Sequence, residues 1–395
     1  MSYLKSTQDV QCSVISDHEH GGIGEYTPGT VIDAGGSNLP SMLRSLLDEK
    51  LLWSDGPYSP NGVAQRLLPS PLLSDKEGLA LWDRINRSPA YYQTEGEIEL
   101  FHQYGANIAG YVKAGSVVVD LGCGDVRKVR PFLDILEAQR KPVWYFALDL
   151  CHESLTRAMS DVGNVYKYVK CFGLWATFDT GLDFLDHLSL DGPSFFMSLG
   201  SIFGNDHYSQ AVARLREWKN KALLRPNDAM LLTMDATADP DVIWRSYHDD
   251  AGLFEKFVRN GYRQSNEVLG CEWYRDQDWE LAGVLKSNPH VHIFVLQARC
   301  DVRCPVLDLK FSKGQQIDCY EAFKYGPNLM RQQFAAAGLK EKAFWKAPNC
   351  DIYQYLVTAQ SGETTVLRTW MHVAQEKLRK LRECFREASR FAQCC

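Results

Sequence analysis

Two periodicities divide the chain. From Leu39, apolar residues recur at three- and four-residue spacing (Met42, Leu43, Leu46, Leu47, Leu51), predicting a helix. A Pro/Gly/Asn-rich loop, Gly56–Asn61, follows, and helices are expected over Asp75–Ile85 and Thr94–Val112. Thr94 with Glu97 three residues on has the form of a capping box. From Ser116 the pattern changes to short apolar runs, Val117–Leu121, Val143–Leu150, Phe195–Leu199 and Ala229–Met234, separated by helical stretches. Strands spaced by crossover helices imply a parallel sheet covered on both faces. Asp241–Gly261 reads as a helix belonging to no crossover, and Val291–Gln297 and Ile352–Thr358 return to strand character.

The expected architecture is α/β: a Rossmann-like sheet domain with a second, mostly helical domain. Residues 1–30 carry clustered glycines and are expected to be a flexible N-terminus. Residues 31–100 with 238–290 would form the helical domain, and 101–237 with 291–361 the sheet domain. Residues 362–395 would form an amphipathic helix whose stripe of Leu367, Trp370, Ala374, Leu378, Leu381, Phe385 and Ala388 lies beside Arg379, Lys380, Arg382, Arg386 and Arg390. Such a stripe packs on its own domain or on a second copy, making a homodimer. A membrane contact through lipidated Cys394-Cys395 is the other reading.

Composition narrows the class. With 45% hydrophobic residues among 395, the chain is globular and long enough for two cores. A net charge of −6 argues against a general nucleic-acid or anionic-membrane binder. The 12 cysteines include no C-x-x-C pair, which argues against structural zinc. No apolar signal segment and no membrane-length apolar run is seen, so reduced thiols in the cytoplasm are expected.

Val117-Val118-Val119-Asp120-Leu121-Gly122-Cys123-Gly124 is the strongest chemical signal: an apolar strand, an acidic residue and a tight glycine turn. Gly122 and Gly124 allow close approach of a ligand to the backbone. The next strand ends in Asp149, placed to accept hydrogen bonds from a ribose diol. That pairing suits NAD or S-adenosylmethionine. The third glycine of the dinucleotide pattern is missing, which favours S-adenosylmethionine, a cofactor without a pyrophosphate. Arg127 or Lys128 can pair with its methionine carboxylate.

Several ordered segments resemble one family. They are Ser88–Glu95 with its double tyrosine, Leu121–Arg130, Tyr145–Leu150, Gly173–Asp179, Leu199-Gly200-Ser201-Ile202-Phe203-Gly204-Asn205, Tyr247–Gly252 and Phe323-Lys324-Tyr325. Together they resemble the histidine-specific, S-adenosylmethionine-dependent methyltransferases of the ergothioneine-biosynthesis type. The likeness is to the fungal branch, which includes dimethylallyltryptophan N-methyltransferases. The resemblance implies cofactor contacts at Gly122, Lys128, Asp149, Phe172 and Gly200, and contacts to the amino acid's backbone end at Tyr91, Gly200, Asn205 and Tyr247. Tyr91, Asn205 and Tyr247 would carry catalysis by aligning the amine.

The chain departs from that pattern at three places. Ser74 stands where the family carries a tyrosine beside the reacting amine, leaving room for a bulkier acceptor. Tyr320-Glu321-Ala322 replaces the glutamate and serine that read an imidazole, so histidine is not the expected substrate. Cys171 replaces an acidic residue near the adenine. Ser74, Trp82 and Glu321 join the expected substrate contacts. The expected activity is N-methylation of a non-histidine amino acid or a derived metabolite in fungal secondary metabolism, an aromatic or prenylated tryptophan-like compound being the specific expectation. The alternatives are another acceptor or transferred group, and a degenerate fold kept as a scaffold.

Overall fold

The structure is a computed structural model that describes residues 12–14, 23–52, 64–65, 69–124, 126–188 and 190–360. The loop Gly56–Asn61 and the amphipathic segment 362–395 lie outside the described residues.

A nine-stranded sheet runs in the order Cys12–Val14, Val31–Asp33, Val169–Trp175, Val143–Asp149, Val117–Leu121, Ser194–Ser198, Ala229–Asp235, Ile352–Ala359, Leu339–Lys346. The first seven are parallel to one another, and Ile352–Ala359 runs against both of its neighbours. The central strand shows why the runs are apolar without alternation. Val117, Val119 and Leu121 face one core, with helices Phe178–His187, Tyr208–Ala222 and Pro327–Ala337. Val118 faces the other, with helices Tyr92–Ala109, Arg130–Ala138 and His152–Val162. Both faces are dry, so every position must be apolar or paired.

A second, four-stranded sheet orders as Ala64–Gln65, Gln316–Lys324, His290–Ala298, Trp279–Ser287. Val291, Ile293 and Val295 enter the main core, while Phe294 and Leu296 face a third core shared with helices Leu39–Leu52, Lys76–Asn86, Pro240–Tyr247 and Leu253–Leu269. The sheet thus joins the parallel layer to the cover.

Several expectations are corrected. Val291–Gln297, expected as a strand of the sheet domain, lies in the second sheet and forms an antiparallel hairpin with Trp279–Ser287. Only two residues separate these strands, so the local partner is met before any crossover. The stretch read as one helix over Asp241–Gly261 is two, because Gly252 takes a left-handed φ of 61° and restarts the helix. Thr94 is no cap: the helix starts at Tyr92, and the Thr94 hydroxyl donates to the Asn86 side chain at 2.9 Å. Within the segment expected to be flexible, Cys12–Val14 pairs with Val31–Asp33, since a parallel edge still offers free backbone groups. Val31–Asp33 belongs to the main sheet, not the cover.

Gly192 leads into strand Ser194–Ser198 against the loop before Val117, and a Cβ there would fall on the Gly115 carbonyl. Gly192→Ala should therefore cost about 1–3 kcal/mol, seen as a lower urea midpoint at constant m-value; an unchanged midpoint would contradict this packing.

Candidate functional site

The glycine turn is held from the neighbouring strand end. Gly122 and Gly124 have φ of 68° and 53°, and the Gly122 and Cys123 amides donate to the Leu148 carbonyl at 2.9 and 3.1 Å. The Gly124 amide donates to Asp149 Oδ2 at 2.9 Å, and the Cys151 amide to Oδ1 at 3.0 Å. The Ser154 hydroxyl closes the ring on the Gly124 carbonyl at 2.7 Å. Burial raises the Asp149 pKa against the pull of these amides. The Cys123 thiol also approaches Oδ2, at 4.0 Å. A Cβ on Gly124 would meet nothing within 4 Å, so the turn faces open space. The helix beyond begins at Arg130, three residues later than its expected start near Arg127.

Lys128, expected at a cofactor carboxylate, lies 3.1 Å from Glu97, whose side chain is 1% exposed. The other Glu97 oxygen accepts the Gly200 amide at 2.6 Å. Gly200 has φ of 75°, and a Cβ there would sit 3.3 Å from Lys128 Nζ, so Gly200, Lys128 and Glu97 meet at one point. Asp120 lies behind them, taking a 3.1 Å bond from the Tyr145 hydroxyl; burial pushes its pKa up to about 7 against the opposing effects of Lys128 and Tyr145. Glu97 escaped the sequence reading because its spacing from Thr94 imitates a cap; a glutamate on the apolar face of that helix, beside Leu100 and Phe101, was the available signal.

A second group of the expected site residues converges on strand Gln316–Lys324. The Phe323 amide donates to Asn205 Oδ1 at 2.7 Å, which leaves the Asn205 Nδ2 to donate outward. One residue on, Lys324 Nζ lies 2.7 Å from Asp235 and donates to the Tyr247 hydroxyl at 2.9 Å. Burial pulls the Lys324 pKa down, but Asp235 outweighs it and holds the amine charged. Asp235 also accepts from the Tyr92 hydroxyl at 2.6 Å, and its own amide donates to Ser201 at 3.0 Å, tying in the Gly200 loop. Tyr91 is buried and donates to Gln93 at 3.1 Å, and Gln93 donates to Tyr247 at 3.3 Å. Burial, then Tyr247 and Tyr320, raise the Tyr91 pKa well above the ordinary range, so it stays a protonated phenol. Trp82 meets Tyr91 edge-on with centroids 5.9 Å apart and stacks on Phe257 at 5.4 Å.

Two expected site residues are misplaced. Glu321 points away from Tyr247 and lies 3.3 Å from His207, whose pKa that contact raises. Strand alternation is the reason: Tyr320 and Ala322 face the aromatic core, so Glu321 cannot. Phe172 is 0% exposed and stacks on Phe146 at 5.3 Å, three residues short of the strand end where the crevice opens. Ser74 closes the turn Ser70–Leu73, beside Asp75, which caps the following helix and accepts from Asn260 at 2.6 Å.

Behind Tyr247, His292 stacks on its ring at 4.3 Å and hydrogen-bonds His248 through the two Nε2 atoms at 2.9 Å.

Two left-handed glycines, the second facing open space, a half-buried aspartate at the next strand end and a lysine set at Gly200 match the needs of a sulfonium nucleoside with an amino-acid tail. The sequence profile of the histidine-specific, S-adenosylmethionine-dependent methyltransferases matches residues 60–359. The chain belongs to that family. It is a methyltransferase, and its cofactor is S-adenosylmethionine. It is 31% identical over 315 residues to ergothioneine biosynthesis protein 1 of Neurospora crassa, covering 79% of this chain and 34% of that protein. It is 27% identical over 288 residues to N-methyltransferase dtpB of Aspergillus flavus, covering 71% and 81%. To 4-dimethylallyltryptophan N-methyltransferase easF of Claviceps purpurea it is 27% identical over 312 residues, covering 73% and 90%. The chain thus spans about a third of the Neurospora protein's length and most of the two N-methyltransferases. Among the described residues no helix is long and apolar enough to cross a membrane.

Asp149→Ala should weaken S-adenosylhomocysteine binding at least about tenfold by isothermal titration, through the lost ribose acceptor and the loosened Gly124 turn; unchanged affinity would remove Asp149 from the site.

A second expectation concerns pH. His292 is held well below the ordinary histidine range by burial, His248 and Lys324, and burial lowers His248 too. The unfolded chain therefore takes up these protons first, so the pair's contribution is present above the ordinary pKa of about 6.5 and lost as pH falls below it. Between pH of about 7.5 and 5.5, wild type should lose more thermal stability than His292→Gln; equal losses would refute the assignment.

Proposed function

We propose that this methyltransferase N-methylates the α-amine of a non-histidine amino acid, or an amino-acid-derived metabolite, with an aromatic or prenylated aromatic side chain. One observation carries the reading. Strand Gln316–Lys324 turns Tyr320 and Ala322 toward Tyr91, Tyr247 and Phe254, where selection of an imidazole needs paired polar groups. Trp82, Phe254, Phe257 and Phe294 continue that wall, which suits a flat apolar side chain. The names of the Aspergillus and Claviceps relatives, both N-methyltransferases, support the same reaction type and a place in secondary metabolism.

In this reading Gly122, Gly124, Asp149, Lys128 and Gly200 hold S-adenosylmethionine, which when bound supplies an electrophilic methyl group. Asn205 Nδ2 and the Tyr91 and Tyr247 hydroxyls hold the amino acid's backbone end and orient the nitrogen lone pair. Tyr91 stays protonated and is no base, so the amine binds already deprotonated and its last proton leaves to solvent. The cover helices close over the acceptor, and the small Ser74 makes room for an alkylated amine.

Incubation with S-adenosylmethionine and a panel of amino acids and amines, read by mass spectrometry, should show methyl additions on aromatic amino compounds and none on histidine. Methylation of histidine in preference to aromatic acceptors would overturn the assignment of the Tyr320–Ala322 wall.

A further inference from the structure

Lys324 and Asp235 form an ion pair in the interior, with side chains 2% and 0% exposed. A buried pair of this kind is a weak source of stability, since desolvation offsets its attraction, so its retention calls for another role. Its geometry supplies one. An ammonium has three donors and no acceptor, so the Tyr247 oxygen, 2.9 Å from Lys324 Nζ, can only accept there. Gln93 Nε2 donates to the same oxygen, and the Tyr91 hydroxyl sets that amide's orientation by donating to Gln93 Oε1. With both lone pairs taken, Tyr247 has one function left, donation of its proton.

The frame around this contact is rigid. Asp235 is locked by bonds from the Tyr92 hydroxyl at 2.6 Å and the Thr237 amide at 2.9 Å, so it fixes Lys324 in turn. The Lys324 ammonium lies 5.0 Å from the Tyr247 ring centroid, and the His292 ring stacks on that ring at 4.3 Å. The bond cannot reverse, because the ammonium has no lone pair to accept with.

We infer that Lys324, anchored by Asp235, is a positioning residue that makes Tyr247 a one-way hydrogen-bond donor and thereby selects acceptors carrying a carboxylate beside the amine over the corresponding simple amines. The inference rests on the acceptor reading above and adds the residues that impose the selection.

L-tryptophan and tryptamine, which differ only in the carboxylate, test it. Binding of each to protein loaded with S-adenosylhomocysteine is titrated, and KM and kcat are measured where turnover occurs. Lys324→Met alone strands the Asp235 charge, so Lys324→Met with Asp235→Asn is made alongside it to keep the interior neutral. Wild type should prefer L-tryptophan. The neutral double variant should lose about tenfold or more of that preference, through KM rather than kcat. In a Tyr247→Phe background the same exchange should move the preference by less than about twofold, because its effect passes through that hydroxyl. Equal losses for both compounds, an additive effect in the Tyr247→Phe background, or a wild type without preference would each overturn the inference while leaving the cofactor site intact. Failure of wild type to bind S-adenosylhomocysteine would instead overturn the reading beneath it.

Discussion

The bond from the Gly124 amide to the Asp149 carboxylate is the constraint on which the site depends. It spans two adjacent parallel strands at their carboxyl ends, where an open α/β sheet places its ligands. Asp149 spends one oxygen on the glycine turn and the other on the start of the next helix through Cys151, so turn, strand and helix cannot shift separately. Once Gly124 is placed, Lys128 follows within one turn of chain and meets Glu97, and Glu97 reaches across to the Gly200 loop.

Two ion pairs, each with a buried carboxylate, share a logic. Glu97–Lys128 holds the Gly200 amide, and Asp235–Lys324 holds the Tyr247 phenol. Each charge is neutralised locally, which keeps the desolvation cost tolerable, and each pair also grips the group that faces the ligand. Three chain segments far apart in sequence, the helix Tyr92–Ala109, the loop after Ser198 and the strand Gln316–Lys324, are thereby brought to one site. Such cross-links suit a reaction whose main demand is alignment.

The parallel sheet was legible because strands buried on both faces are unbroken apolar runs, and Val117–Leu121 is found where that pattern ends in a glycine turn. The hairpin Trp279–Ala298 was not, because one strand alternates weakly and the other resembles a core strand. Gly122, Gly124 and Asp149 were expected from backbone requirements, and Gly200, Asn205 and Tyr247 from resemblance; the structure joins Gly124 to Asp149 and sets Gly200 against Glu97 and Lys128. Asp235 and Lys324 could not be read, since a charged residue in sequence carries no mark of whether its partner will be water or another buried charge; Glu97 was marked only by its place on the apolar face of its helix. Phe172 and Glu321 were misjudged for a plainer reason: motif proximity does not say which face of a strand a side chain takes, and one step along the strand reverses it.

The most direct test is a crystal structure of the protein with S-adenosylhomocysteine. The ribose hydroxyls should lie within hydrogen-bonding distance of Asp149, the tail should meet Lys128 and Gly200, and the sulfur should face the space between Asn205 and Tyr247. A crevice left empty at saturating ligand, or a nucleoside bound away from Gly124, would contradict the account.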